Sequence, residues 1–322
     1  LLPNWAAAGE LTVWHSYRGA EERALVELVE RWNRDHRSDQ VRLVAVPYEA
    51  YANKLTSAVP RGQGPDLFIF AHERTGDWAE SGIIQPVGNM ISDELMSGFV
   101  PTTVDSVRWK DRVYGIPLAF KSVALFYNRD LLDQPPGTTD ELVDIARRHT
   151  DASKGRYGIS YQATSFYHHS GWFFGFGGSI FDESGEARLD TEANARSFEF
   201  VQNLQKRGLM PREQTGALVS QLFNDGKAAM VVNGPWFLGE IDEGVDYGVA
   251  PLPTVSETGR PAEPFLTVEA AFLPKGSSQK KAALEFARFL AIGEGAELRV
   301  EEGKQLVADA SVYDRDDVDL LV

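Results

Sequence analysis

The sequence predicts an α/β fold with a mostly parallel sheet, on three observations. Strand, helix and strand alternate near the start. Buried apolar runs end abruptly in polar or aromatic residues. The length of 322 residues suits two domains, each with its own core. Leu11-Thr12-Val13-Trp14 reads as the first strand. Glu21 to Asn33 then carries Leu25, Leu28, Val29 and Trp32 at the spacing of an amphipathic helix, and Val41 to Val46 is the next strand. The rhythm recurs at Leu67-Phe68-Ile69-Phe70, introduced by Gly64-Pro65-Asp66 and followed by Ala71-His72-Glu73-Arg74. Ligands of such sheets sit beyond the carboxyl ends of the strands, which marks the residues after Trp14 and Phe70.

Two extended runs, Val113 to Ala119 and Val123 to Tyr127, are joined by Phe120-Lys121-Ser122, a step read as a crossing between domains. Thr138 and Glu141 are spaced as a capping box for a helix reaching about Arg148. Asp190 to Gly208 is a helix stopped by glycine, with Phe198, Val201 and Leu204 on one side. Tyr247 to Pro253 is a strand ending in prolines, and Phe265 to Val268 is a further extended run. A helix from about Gln279 to Ile292 follows Ser277-Ser278.

Composition narrows the function classes. The 47 acidic against 32 basic residues give a net charge of −15, which argues against nucleic acid and anionic membranes as partners. No run approaches the roughly 20 apolar residues of a membrane helix. The opening Leu1-Leu2-Pro3-Asn4-Trp5 lacks the character of a signal peptide, as expected of a mature form or of a piece of a longer polypeptide. Cysteine is absent, which removes disulfides, thiolate metal sites and cysteine nucleophiles. His168-His169 are adjacent, a spacing unsuited to one ion, so no metal is expected. Gly175-Phe176-Gly177-Gly178 lacks the Lys-Ser/Thr of a phosphate loop, and no G-x-S-x-G occurs.

The run Met230-Val231-Val232-Asn233 stops at Gly234-Pro235 and at once presents Trp236. A tryptophan at such a strand end can offer a flat surface to the C–H face of a pyranose. Glu73 and Arg74, directly after a buried strand, can hydrogen-bond its hydroxyls. Facing each other, the two endings would make a sugar site. Tyr48 and Tyr51, read as lying in the loop after the second strand, could add stacking.

These residues carry a resemblance. In nearly unbroken order from Leu11 to Leu306, the chain resembles the maltose/maltodextrin-binding proteins of bacterial ABC importers, extracytoplasmic solute-binding proteins. The residues are the opening strand and helix, Gly64-Pro65-Asp66 with Ala71-His72-Glu73-Arg74, Trp78-Ala79-Glu80-Ser81-Gly82, Ala124 to Asn128 with Asp130-Leu131-Leu132, Phe223 to Ala229, Asn233-Gly234-Pro235-Trp236 and Tyr247-Gly248-Val249. The resemblance implies a two-lobed periplasmic-binding-protein-like fold of type II with a ligand cleft between the lobes. Residues 11–119 plus 265–312 would form the first lobe, and 124–263 plus 313–322 the second. It implies a monomeric, extracytoplasmic, non-catalytic protein, without cofactor, that hands an oligosaccharide to membrane permease subunits by hinge closure. Phe120–Ser122 and Phe265–Val268 would be the hinges. It also implies sugar contacts from Arg18, Phe70, Glu73, Arg74, Lys121, Tyr167 and Trp236.

Three departures stand out. Lys121 occupies a position that is usually acidic in the family, and Arg18-Gly19 stand about where an Asp-Lys pair is usual. The chain also stops at Val322, short of the family's final helical segment, whose absence from the second lobe is expected. The alternatives are the same fold binding another disaccharide or oligosaccharide and, more distantly, a glycoside-acting enzyme with two carboxylates across a cleft.

Overall fold

A computed structural model describes residues 9–314. The described chain forms two compact units. One comprises the residues up to Lys121 and those from Thr267 on, the other Ser122–Leu266. Tyr313, expected with the second unit, packs in the first, where its hydroxyl donates to the Val307 carbonyl at 2.8 Å. Residues 315–322 of that expectation lie outside the described residues.

The first unit opens with β1 (Leu11–His15), α1 (Gly19–Asp35), β2 (Val41–Ala45), α2 (Tyr48–Ala58), β3 (Leu67–Ala71) and α3 (Thr75–Glu80). Next come the short helices α4 (Asp93–Ser97) and α5 (Pro101–Ser106), the hairpin β4 (Arg108–Trp109) and β5 (Arg112–Val113), and β6 (Gly115–Lys121). The second unit holds β7 (Ala124–Asn128), α6 (Thr139–His149), β8 (Tyr157–Ser160), α7 (Phe166–Gly175), α8 (Glu192–Lys206), α9 (Gly216–Asn224), β9 (Ala228–Asn233) and β10 (Tyr247–Ala250). The chain then returns to the first unit with β11 (Thr267–Phe272), α10 (Lys280–Ala291), α11 (Glu294–Glu301) and β12 (Leu306–Val307).

The first sheet has the order β12-β6-β11-β3-β1-β2. β1 runs parallel to β2 and β3, whereas β11 lies antiparallel between β3 and β6. The second sheet, β10-β7-β9-β8, is parallel only at β8 and β9. The sheets are therefore mixed rather than mostly parallel. The physical reason is that a strand re-entering a sheet from another unit needs no helical crossover to pair antiparallel. Because β6 is also antiparallel to β11, the carboxyl ends of β1, β2, β3 and β6 share one edge, where β11 begins.

Local chemistry accounts for most elements. In α1 the buried residues are Ala24, Leu25, Leu28, Val29 and Trp32, one stripe against the sheet, with Glu21 and Glu22 in the first turn where the helix dipole favours acids. β3 is buried along its length, as its unbroken apolar run requires of a strand covered on both faces. Phe68 stacks on Phe272 at 5.4 Å, and Trp78 meets both edge-on. α6 starts at the predicted cap: Thr138 Oγ1 accepts from Glu141 N at 3.3 Å, and Glu141 Oε2 accepts from Gly137 N at 2.8 Å.

The sequence reading missed α2 and α7. Tyr48 and Tyr51 lie on α2 rather than in a loop, the helix starting directly after Pro47 with only Tyr51 and Leu55 buried. α7 buries His168, His169, Ser170, Gly171, Trp172, Phe173 and Gly175, nearly its whole circumference, so it shows no apolar stripe.

The second unit packs α6 onto β8 at a glycine. A Cβ on Gly158 would lie 2.1 Å from Ala146 Cα, closer than atoms can stand. Gly158→Ala should lower unfolding free energy by about 1–3 kcal/mol, the range for overpacking a filled core. Urea denaturation of the two proteins measures this, and coincident midpoints would mean that α6 moves off the strand without cost.

Candidate functional site

On the first unit, Arg18, Tyr48, Glu73, Arg74 and Lys121 gather at the edge formed by the strand carboxyl ends. Arg18 follows β1 by three residues, is exposed, and stands in extended conformation before α1. Glu73 and Arg74 are exposed in the 3-10 turn His72–Arg74 after β3, which His72 Nδ1 anchors by accepting from Val268 N at 3.0 Å. The Tyr48 hydroxyl donates to Glu73 Oε1 at 3.0 Å. Burial, with Glu73 beside it, pushes the Tyr48 phenol well up and keeps it protonated as a donor.

Phe70 is placed differently from a sugar-stacking aromatic. It is 3% exposed and stacks with Tyr48 at 4.9 Å and with Tyr51 at 4.6 Å, inside the core. Lys121 is not a surface cation. Its ammonium lies 2.6 Å from Glu269 Oε1, and both side chains are largely buried. Burial opposes the Lys121 charge, but Glu269 and Glu21 outweigh it and hold its pKa above the ordinary lysine value. Burial raises the Glu21 carboxyl, with Lys121 partly offsetting it.

The network continues inward. Gln305 Nε2 donates to Glu21 Oε1 at 3.3 Å, and Arg299 Nε donates to Gln305 Oε1 at 2.9 Å. The remaining Arg299 nitrogens reach the Leu118 carbonyl at 3.0 Å, the Leu290 carbonyl at 3.4 Å and the Tyr17 hydroxyl at 3.4 Å. Sequence reasoning missed Glu21, Glu269, Arg299 and Gln305. The signal for Glu269 was present: a lone carboxylate in the apolar run Thr267–Phe272 demands a partner.

On the second unit, the structure brings Tyr167 and Trp236 together. Trp236 sits in the 3-10 turn Pro235–Gly239 directly after β9, half-buried. Its six-membered ring lies over Gly234, where a Cβ would be 2.2 Å from Cη2 and Cζ3, so this approach needs glycine. Asn233 Oδ1 accepts from Gly234 N at 2.9 Å and fixes the turn. Tyr167, on the first turn of α7, stands 6.0 Å from Trp236 with the rings inclined at 45°. His168 meets the Trp236 ring edge-on at 6.1 Å.

Behind this pair, Phe265 packs against Phe166 at 5.6 Å, Phe174 at 5.4 Å and Tyr167 at 6.5 Å. The two adjacent histidines have separate neighbours. His168 Nδ1 lies 3.1 Å from Ser165 Oγ, and His169 Nε2 lies 3.3 Å from Ser197 Oγ. Among the described residues, no group of three or more His, Cys, Asp or Glu is arranged to hold a metal ion.

The first unit presents ionic and hydroxyl groups at its strand ends, and the second presents a pair of aromatic rings. Comparison with known proteins identifies the family. The family model "bacterial extracellular solute-binding protein" matches residues 18–292. A maltotriose-binding protein of Pyrococcus abyssi is 31% identical over 88% of this chain, which spans about 62% of that relative's length. A galactooligosaccharide-binding protein of Bacillus subtilis is 26% identical over 94% of this chain and 73% of its own length. A solved structure of the Thermus thermophilus maltotriose binding protein bound with maltotriose superimposes with a TM-score of 0.86. It is 28% identical, with 96% of this chain and 84% of that chain covered.

The buried histidines set a pH limit on the scaffold beneath Tyr167. Burial holds the His169 pKa down at about 4 and lowers that of His168, while the unfolded chain takes protons near the ordinary value of about 6.5. The unfolded state therefore binds more protons between those values. Stability is complete above about pH 6.5 and falls as pH drops toward 4, with His169 contributing up to about 3 kcal/mol. Thermal melts from pH 7 to 4.5 should show the decline, and His169→Asn should flatten it. Identical profiles for the two proteins would contradict this assignment.

Proposed function

The chain belongs to the family of bacterial extracellular solute-binding proteins, and from that premise we propose that it binds a maltodextrin-type oligosaccharide outside the cytoplasm. It then delivers the sugar, as a monomer without cofactor, to the permease subunits of an ABC importer. The observation that carries the reading is the Tyr167–Trp236 pair, two half-buried rings 6.0 Å apart at a strand end and a helix start. Such a surface suits the C–H faces of glucose rings. Arg18, Glu73 and Arg74 supply hydroxyl contacts from the first unit. Phe70 and Lys121 serve as the packing layer and the charge brace beneath them. The 31%-identical relative is a maltotriose-binding protein, which favours an α-glucan over the galactosyl oligosaccharide of the 26%-identical one.

Calorimetric titration against maltotriose, maltose, a galactooligosaccharide, cellobiose, trehalose and sucrose tests the reading. Maltotriose should bind most tightly and be recovered unhydrolysed. Trp236→Ala should weaken it by about 1–3 kcal/mol, the loss expected for a buried aromatic anchor. Preference for the galactosyl sugar would transfer the assignment to that class, and release of glucose would replace binding with catalysis.

The mechanism is closure. A sugar engaging residues of both units shifts the population toward a closed state, through the crossings at Phe120–Ser122 and Phe265–Val268. Small-angle scattering should record a smaller radius of gyration at saturating maltotriose. An unchanged radius in a protein that starts open would remove the hinge while leaving sugar binding in place.

A further inference from the structure

We propose that Tyr48, not Phe70, is the aromatic platform that the first unit presents to a pyranose ring, with Glu73 set beside it to accept the ring's hydroxyl hydrogens. The inference rests on the sugar-binding reading above and names a residue that decides its specificity.

Exposure separates the two aromatics. Phe70 is 3% exposed and Tyr48 is 48% exposed, although their rings stack at 4.9 Å and 21°. Phe70 therefore backs the Tyr48 ring from the core side and is itself out of a ligand's reach. Among the described residues of this unit, the large exposed apolar side chains are Val26, Tyr48, Met90 and Trp109. Of these, only Tyr48 follows a strand of the main sheet at its carboxyl end, three residues after β2.

The ring is also held in orientation. Pro47 precedes it and α2 starts at it, so the backbone is fixed, and the hydroxyl bond to Glu73 Oε1 at 3.0 Å fixes the ring's far end. An incidental surface tyrosine pays rotamer entropy each time it is ordered. Here stacking on Phe70 and the Glu73 bond have already ordered it before a ligand arrives. Glu73 takes the Tyr48 hydroxyl on Oε1, and a carboxylate so placed beside the ring can also accept from a sugar hydroxyl. Ring and carboxylate together match a pyranose, which has an apolar face and an equatorial belt of hydroxyls.

The test is a calorimetric titration with maltotriose of the parent protein, Tyr48→Ala, Tyr48→Phe and Tyr48→Trp, with Trp236→Ala as the reference for the other unit. Tyr48→Ala should bind about 10- to 100-fold more weakly, the usual loss for an aromatic anchor. Its melting temperature should stay near that of the parent, since the side chain is half exposed. Tyr48→Phe and Tyr48→Trp, which keep an aromatic face, should each stay within about fivefold of the parent, a loss no larger than one modest hydrogen bond. Unchanged affinity in Tyr48→Ala, with Trp236→Ala weakened, would overturn the platform while leaving the sugar-binding reading intact. Equal losses in Tyr48→Phe and Tyr48→Ala would assign the effect to the hydroxyl and overturn it as well. A parent protein that binds none of the sugars would overturn both.

Discussion

The pairing of β6 with β11 is the constraint on which the first unit depends. β11 stands between β6 and β3, so without it the sheet separates into β12-β6 and β3-β1-β2. The strand that joins the two parts lies some 150 residues after β6 in sequence, beyond the entire second unit. The pairing is non-local, and its closure entropy is offset where the intervening residues Ser122–Leu266 form a compact unit of their own. The pairing also positions the buried ion pair of this unit. Lys121 opposes Thr267 and Glu269 opposes Ala119, which makes Lys121 and Glu269 diagonal neighbours on one face of the sheet. The register then slips by one residue between Glu269 and Ala270, across from Leu118, whose carbonyl accepts from Ala308 N on the β12 side and from Arg299.

A buried ion pair is weak evidence for stability, because desolvating two charges offsets most of their attraction. Its value here lies in position. Lys121 and Glu269 pair with both side chains largely buried, and Glu21 and Arg299 are joined through Gln305. The lysine at a position that is acidic in the resembling family is thus accounted for by the glutamate across the sheet.

Legibility in the sequence followed periodicity. β1, α1, β2 and β3 were readable because each shows one clean pattern, and α6 because its cap is spelled out by Thr138 and Glu141. α7 was not, because a helix buried nearly all round has no stripe to detect. The direction of β11 was hidden for a different reason: nothing local tells a strand which neighbours it will find after a long excursion. Glu73, Arg74 and Trp236 were singled out by position at strand ends, and each does lie in a turn that follows a strand. The resemblance pointed to Phe70, with Tyr48 as added stacking, since the sequence does not show which ring lies over the other. The partner of Lys121 was in principle visible as a carboxylate inside an apolar strand.

The second unit ties its aromatic surface to the returning chain. Phe265 N donates to Ser170 Oγ at 3.0 Å, and the Ser122 hydroxyl donates to the Phe265 carbonyl at 2.9 Å. Ser170 belongs to α7, the helix that carries Tyr167, and its own hydroxyl donates to the Tyr167 carbonyl at 2.8 Å. Ser122 and Phe265 are the residues at which the chain enters this unit and prepares to leave it. Tyr167 is therefore linked through Ser170 to Phe265 and Ser122, at the two ends of this unit's stretch of chain. α7 is buried nearly all round, so packing on every side fixes its position. The same burial that made α7 invisible in the sequence holds Tyr167 in register with the returning chain through Ser170 and Phe265.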